Sequence, residues 1–223
     1  MIRIIRKALC WYLYMDWQAL ISGQPTLAHV PESLRQRAEP WDLEAGEQLF
    51  RIGGSIHAVF TVINGEVRLT RRDRNGTEVV LQRSRGGFFA EASLNSKAYH
   101  CDAVAAEKST LLRFPLQAFR LALAEDAGFR DAWMTHLARE VRKLRAQCER
   151  LSLHSAAERV LHYLESEGSD GSVALTQTRK AWAAELGLSH EALYRTLKKL
   201  QEDAVIQIDG NEVTVRDRFR PNC

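Results

Sequence analysis

From Thr178 the chain reads TRKAWAAELGLSHEALYRTLKKL, and the polar side chains of this run are suited to a nucleic acid. Arg195 can donate two hydrogen bonds to guanine O6 and N7, and Glu191 can accept from cytosine N4; each such pairing gives about 1–3 kcal/mol of base discrimination. Ser189, Thr178, Arg179, Lys198 and Lys199 are expected on phosphates, where contacts set register and salt dependence without reading sequence. His190 and Tyr194 complete the same polar edge. Two plainer readings compete. Glu191 and Arg195 are spaced i and i+4, which also makes a simple surface ion pair, and helical hairpins serve as protein-docking modules as well.

These side chains need elements to hold them. Thr178 is a helix cap ahead of the inward residues Trp182, Ala183 and Leu186, and Gly187 supplies the left-handed residue that ends a helix. Ser189 caps a second helix two residues later. Its inward residues Leu193, Leu197 and Leu200 leave Glu191, Tyr194, Arg195 and Lys198 outside, the pattern of a helix-turn-helix. Val205–Ile208 and Val213–Val215 flank Asp209-Gly210-Asn211 and predict a hairpin, the wing. Upstream, Ser155 and Glu158 make a capping box that starts a helix through about Glu167, with Val160, Leu161 and Leu164 inward. Gly168 to Ser172 reads as a polar break.

Before that, Phe129, Trp133, Leu137, Val141, Leu144, Cys148 and Leu151 recur every three or four residues, a coiled-coil seam on one long helix. The spacing predicts a parallel dimer, with packing inside a monomer as the alternative. Cys148 is expected in core packing across that dimer. Between about 41 and 115, short runs of period two or all-apolar character are separated by Gly53-Gly54, Asn64-Gly65, Asn75-Gly76 and Gly86-Gly87. The runs are Gln48–Arg51, Ala58–Ile63, Val67–Arg71, Glu78–Leu81, Ala103–Ala106 and Thr110–Phe114, and their spacing predicts a small antiparallel barrel or jelly roll. The expected fold class is therefore α+β: an antiparallel β-roll, a long dimerisation helix and a winged helix-turn-helix. The boundaries are 1–40 for an N-terminal extension and helix, 41–126 for the roll, 127–154 for the long helix and 155–223 for the last domain.

The composition narrows the function classes. The chain has 223 residues, with 31 Lys and Arg against 28 Asp and Glu, a formal +3 that names no polyanionic partner. Residues 155–223 carry nine basic and eleven acidic side chains, so the last domain is net −2 and any nucleic-acid contact must be local. Cysteines at 10, 101, 148 and 223 form no Cys-x-x-Cys pair, which excludes zinc ribbons and a disulfide framework. No run approaches the roughly 18 apolar residues of a membrane helix, and the expected setting is the reduced cytoplasm. No phosphate loop, G-x-G-x-x-G, nucleophile elbow or H-E-x-x-H is present, and His57 and His100 lack the neighbouring histidines of a cupin-type metal enzyme. The chain is not expected to be an enzyme. Arg3, Arg6 and Lys7 precede a short apolar run, Ala8 to Met15, unlike the rest; one reading is a start at Met15 with the preceding residues an artefact, and the alternative is an amphipathic helix that packs on a partner.

The order of these pieces resembles the CRP/FNR family of bacterial transcription regulators over about 41–217. The matching segments are LEAGEQLFRIGG (43–54), VINGEVRLTRRDRNGTEVVLQ (62–82), RGGFFAEASL (85–94), the arginine-rich long helix and ELGLSHEALYRTLKKL (185–200). The resemblance implies a homodimer on duplex DNA with an inverted-repeat operator, RNA polymerase as a further partner, Glu191 and Arg195 at base-reading positions and Tyr194 at a variable one. His190 stands where some members have arginine.

Members that bind cyclic AMP use a Gly-Glu pair, then an Arg-Ser pair on the cyclic phosphate, and dimer-helix hydroxyls on the adenine. Here Ala90-Glu91 replaces the first pair and Cys101-Asp102 the second, while Leu144 and Arg145 stand in place of the hydroxyls. A missing guanidinium and an added carboxylate both oppose a phosphate, so no cyclic-AMP response of the usual kind is expected and the effector is open. His100-Cys101 offers soft ligands for haem or a metal ion as an alternative; the iron-sulfur cysteine cluster of some members is missing. A second reading of the whole is a DNA-silent interaction protein that keeps the fold.

Overall fold

A computed structural model of the protein describes residues 16–216 apart from 73, 75, 77 and 176. The expectation about residues 1–14 and the fates of Cys10 and Cys223 lie outside the described residues. Two compact units divide at His136 and Leu137, within the long helix rather than at either of its ends.

In the first unit Asp16 caps a short helix, α1 (Trp17–Gly23), accepting from the Gln18 and Ala19 amides, and α2 (Glu32–Arg35) follows. Eight strands come next: β1 (Glu39–Leu43), β2 (Gln48–Phe50), β3 (Ala58–Asn64), β4 (Val67–Arg72), β5 (Glu78–Ser84), β6 (Phe88–Phe89), β7 (Asp102–Ala105) and β8 (Ser109–Pro115). They pair antiparallel in two four-stranded sheets, β1-β8-β3-β6 and β2-β7-β4-β5, as the glycine-punctuated pattern predicts. Leu43, Phe60, Val62, Leu69, Phe89 and Leu111 fill the space within the roll. Gly65 is required at the β3–β4 turn. Its φ is +89°, and a Cβ there would lie 2.6 Å from the Lys108 carbonyl oxygen. β1 and β6 escaped the sequence pattern: β1 contains Pro40 and sits at a sheet edge, and β6 has two residues, too few for any period.

After α3 (Leu116–Glu125) comes α4 (Ala127–Ser152), an unbroken helix of 26 residues. The seam predicted along it is corrected at its start. Phe129 and Trp133 are buried, and the Trp133 ring meets Phe119 and Phe88 edge-on at centroid distances of 4.9 and 5.4 Å. Both belong to an aromatic cluster of the first unit, because large flat rings there remove more apolar area from water than a narrow helix seam can. Further along, Val141, Leu144 and Leu151 are 45%, 57% and 45% exposed. Leu137 is half-buried and Cys148 exposed.

In the second unit, α5 (Ala156–Glu167) begins at the expected capping box, with both Ser155–Glu158 bonds formed. The polar break then contains an unexpected strand, β9 (Ser172–Ala174), entered through left-handed Asp170 and Gly171. α6 (Arg179–Glu185), α7 (His190–Glu202) and the hairpin β10 (Ile206–Asp209) and β11 (Glu212–Val215) complete the domain. β9 adds a third strand to the wing sheet, in the order β10-β11-β9. Val160, Leu164, Trp182, Leu186, Leu193, Leu197 and Val213 form its core.

Candidate nucleic-acid interface

Thr178 Oγ1 accepts from the Ala181 amide at 3.2 Å and Ser189 Oγ from the Ala192 amide at 3.1 Å, so both predicted caps are present. Gly187, at φ +65°, makes the turn between α6 and α7. α7 buries Leu193, Leu197 and Leu200, while Ser189, His190, Glu191, Tyr194, Arg195, Lys198 and Lys199 are all exposed. Tyr194 is 66% exposed, far more than a ring with a structural role inside the domain.

The Glu191 carboxyl is held below the usual carboxylate range, first by its own backbone N–H, then by the Ser189 hydroxyl, with lesser help from His190 and Arg195. It is therefore ionised at neutral pH and purely an acceptor, as contact with a cytosine amino group requires. Among the described residues no ion pair within 4 Å joins it to Arg195; the pair formed on this helix is Lys198–Glu202 at 3.8 Å. Lys199 stands in no ion pair among those residues. A hollow of about 390 Å³ lies between α7 and the wing, lined by Arg179, His190, Tyr194, Lys198, Gln201 and Ile208 among others. Gln201 and Ile208 were not legible as members of this face, because nothing in their spacing brings the wing beside α7.

Arg179 departs from the phosphate role expected of it. Its guanidinium carbon lies 5.4 Å from the Trp182 ring centroid, and Nη2 donates to the Gly210 carbonyl at 3.3 Å. Desolvation by burial pulls its pKa below the ordinary arginine value. It ties α6 to the wing turn.

In the β-roll, Ala90 occupies the left-handed region at φ 67° and is buried, directly before the 3₁₀ turn Glu91–Ser93. The Asp102 carboxylate accepts from the Ile52 amide at 2.8 Å and from Gln48 Nε2 at 3.4 Å, bracing the start of β7. Cys101 is buried in the apolar core, and burial is the first cause of its raised pKa. Neither residue offers a cation to a cyclic phosphate. His100 is exposed and its Nδ1 is 3.1 Å from Ser93 Oγ, so it and buried Cys101 do not converge as haem or metal ligands. Among the described residues no group of three or more His, Cys, Asp or Glu could hold a metal ion. Leu144 and Arg145 are both exposed on α4.

An antiparallel roll followed by a long helix and a capped helix-turn-helix with a wing defines a transcription regulator with an effector-type domain. Known proteins make this specific. The cyclic nucleotide-binding domain model matches residues 40–126, and the Crp-like helix-turn-helix domain model matches residues 158–220. The cyclic AMP receptor protein of Thermus thermophilus is 30% identical over 187 residues, 77% of this chain and 81% of that protein. The transcriptional activator protein FnrA of Stutzerimonas stutzeri is 24% identical over 200 residues, 83% and 79% of the two chains. FixK2 from Bradyrhizobium japonicum has the same fold, with a TM-score of 0.63 at 22% identity over 81% of this chain and 93% of that one. The chain belongs to the CRP/FNR family of transcription regulators.

Proposed function

We propose that the protein is a homodimeric, sequence-specific DNA-binding regulator that does not respond to cyclic AMP. The carrying observation is one helix, α7, capped by Ser189 and buried on its Leu193 edge, whose opposite edge is wholly polar and exposed. Glu191 and Arg195 would read bases. Ser189, Thr178, Lys198 and Lys199 would hold phosphates. The exposed Val141, Leu144 and Leu151 support pairing of α4 with a second copy, since a monomer would leave them in water. Against a cyclic-AMP response stand the missing guanidinium, the Asp102 carboxylate and Cys101 enclosed in the core. RNA polymerase in the cytoplasm is the natural further partner of such a regulator. A domain of net −2 binds random duplex weakly, so specificity must come from the local face and from two copies acting together.

A duplex titration across a salt series tests this. Arg195→Ala should relax preference at a guanine by about 1–3 kcal/mol, and Lys199→Ala should weaken all duplexes alike and lower the salt slope by about one. Equal losses on every sequence for both variants would contradict the assigned roles. Binding that tightens with added cyclic AMP would remove the effector claim.

A further inference from the structure

Arg159, early in α5, reads from sequence as one more surface charge. In the structure its Nε donates to the Leu153 carbonyl at 3.0 Å, Nη1 to the Leu186 and Gly187 carbonyls, each at 3.2 Å, and Nη2 to the Leu151 carbonyl at 3.4 Å. Leu151 lies in the last turn of α4 and Leu153 just beyond it, whereas Leu186 and Gly187 form the turn of the helix-turn-helix. One planar cation thus gathers the open carbonyl ends of two helices. Those ends lack intrahelical donors and carry the negative pole of the helix dipole, so both favour a guanidinium.

The approach is close. A Cβ on Gly187 would lie 2.9 Å from Leu151 Cδ2 and 3.1 Å from Arg159 Nη1. Two parallel ties cross the same joint. Arg150, 1% exposed, donates to Ser166 Oγ at 2.9 Å and Glu167 Oε1 at 3.0 Å, with its guanidinium carbon 4.7 Å from the Tyr163 ring centroid. His162 Nε2 stands 3.3 Å from Glu149 Oε2.

We infer that Arg159 is a positioning residue for DNA recognition: it fixes the helix-turn-helix turn to the end of the long helix. In this arrangement the joint around Ser152–Ser155 is clamped, and α7 is tied to residues 151–153 through the helix-turn-helix turn. The inference rests on the DNA-binding reading above for its purpose, though not for its mechanics. Four of its five N–H groups are committed to carbonyls, which leaves at most one for a phosphate.

Amide hydrogen exchange on the full chain without DNA, for wild type, Arg159→Gln and Arg159→Lys, tests the clamp. The wild type should protect residues 151–155 and 186–189 together. Both variants should lose protection in those two segments at once, leaving α5 and the wing hairpin unchanged, because a single ammonium cannot reach both helix ends. Duplex affinity should fall about tenfold on all sequences, with the salt slope kept. Exchange that rises throughout the domain, restoration by lysine, or a salt slope reduced by one would each overturn the inference. A wild type that binds no duplex would refute the reading of the previous section, while paired loss of protection in the variants would still uphold the clamp.

Discussion

Two residues carry local strain or charge whose consequences can be measured. Ala90 is a buried alanine held in the left-handed region, where a Cβ costs roughly 1–2 kcal/mol. Ala90→Gly should therefore stabilise the roll, by about 0.5–1 kcal/mol after the glycine's greater freedom when unfolded is subtracted; thermal unfolding checks the sign. Glu158 is held below the usual carboxylate range, mainly by the Ser155 backbone N–H and then by the Ser155 hydroxyl. A group whose folded pKa is depressed stabilises above its unfolded pKa, near 4.3 for glutamate, and that contribution is lost as pH falls through the lower folded value. The first turn of α5 should accordingly loosen in acid and stay closed from pH 5 upward, seen as faster exchange of the Ser155 amide, which donates to the Glu158 carboxylate; Glu158→Gln should remove the pH dependence. The caps at Ser155, Thr178 and Ser189 were legible because a hydroxyl and its amide partner stand three residues apart. Arg150, Arg159 and Arg179 were not: the Ser166 hydroxyl and Glu167 carboxylate meet Arg150, carbonyls meet Arg159, and a ring and a carbonyl meet Arg179, none at a spacing that a helix pattern marks.

At the scale of elements, strand and helix periods carried most of the reading. Apart from β1 and β6, the strands of the roll fall where alternation and glycine turns predict them, and α5, α6 and α7 begin at their predicted caps. β9 was hidden because a three-residue strand after Asp170-Gly171 has no period of its own. The long helix shows how a repeat can overreach: Phe129 and Trp133 continue the three-four spacing, yet their rings fill the core of the first unit. What remains of the seam is Leu137, Val141, Leu144, Cys148 and Leu151. Replacing exposed Leu144 by aspartate should leave each domain folded and shift the protein to monomers in sedimentation, since like charges would face each other where two apolar side chains met. Unchanged dimers would place the contact between copies elsewhere.

At the scale of the whole molecule, membership of the CRP/FNR family gives the framework and the residues set the departures from it. Where the resemblance puts the Arg-Ser pair for a cyclic phosphate, this chain has Cys101, buried in the roll, and Asp102, whose carboxylate accepts from the Ile52 amide; the outer edge of α7 is polar and exposed. An effector, if it acts through the roll, must bias the presentation of two recognition helices by binding one arrangement better than another. Under the proposed arginine clamp, the C-terminal end of the long helix would be the lever for that bias. The central claim is symmetric base reading by α7, and selection from a random duplex pool, with the mass of the selected complex determined, tests it most directly. The expected result is an inverted repeat with half-site centres about 34–36 Å apart, bound by two copies, with the preference at one guanine of each half-site relaxed on Arg195→Ala. Enrichment of no palindrome, or a selected complex containing a single copy, would contradict it.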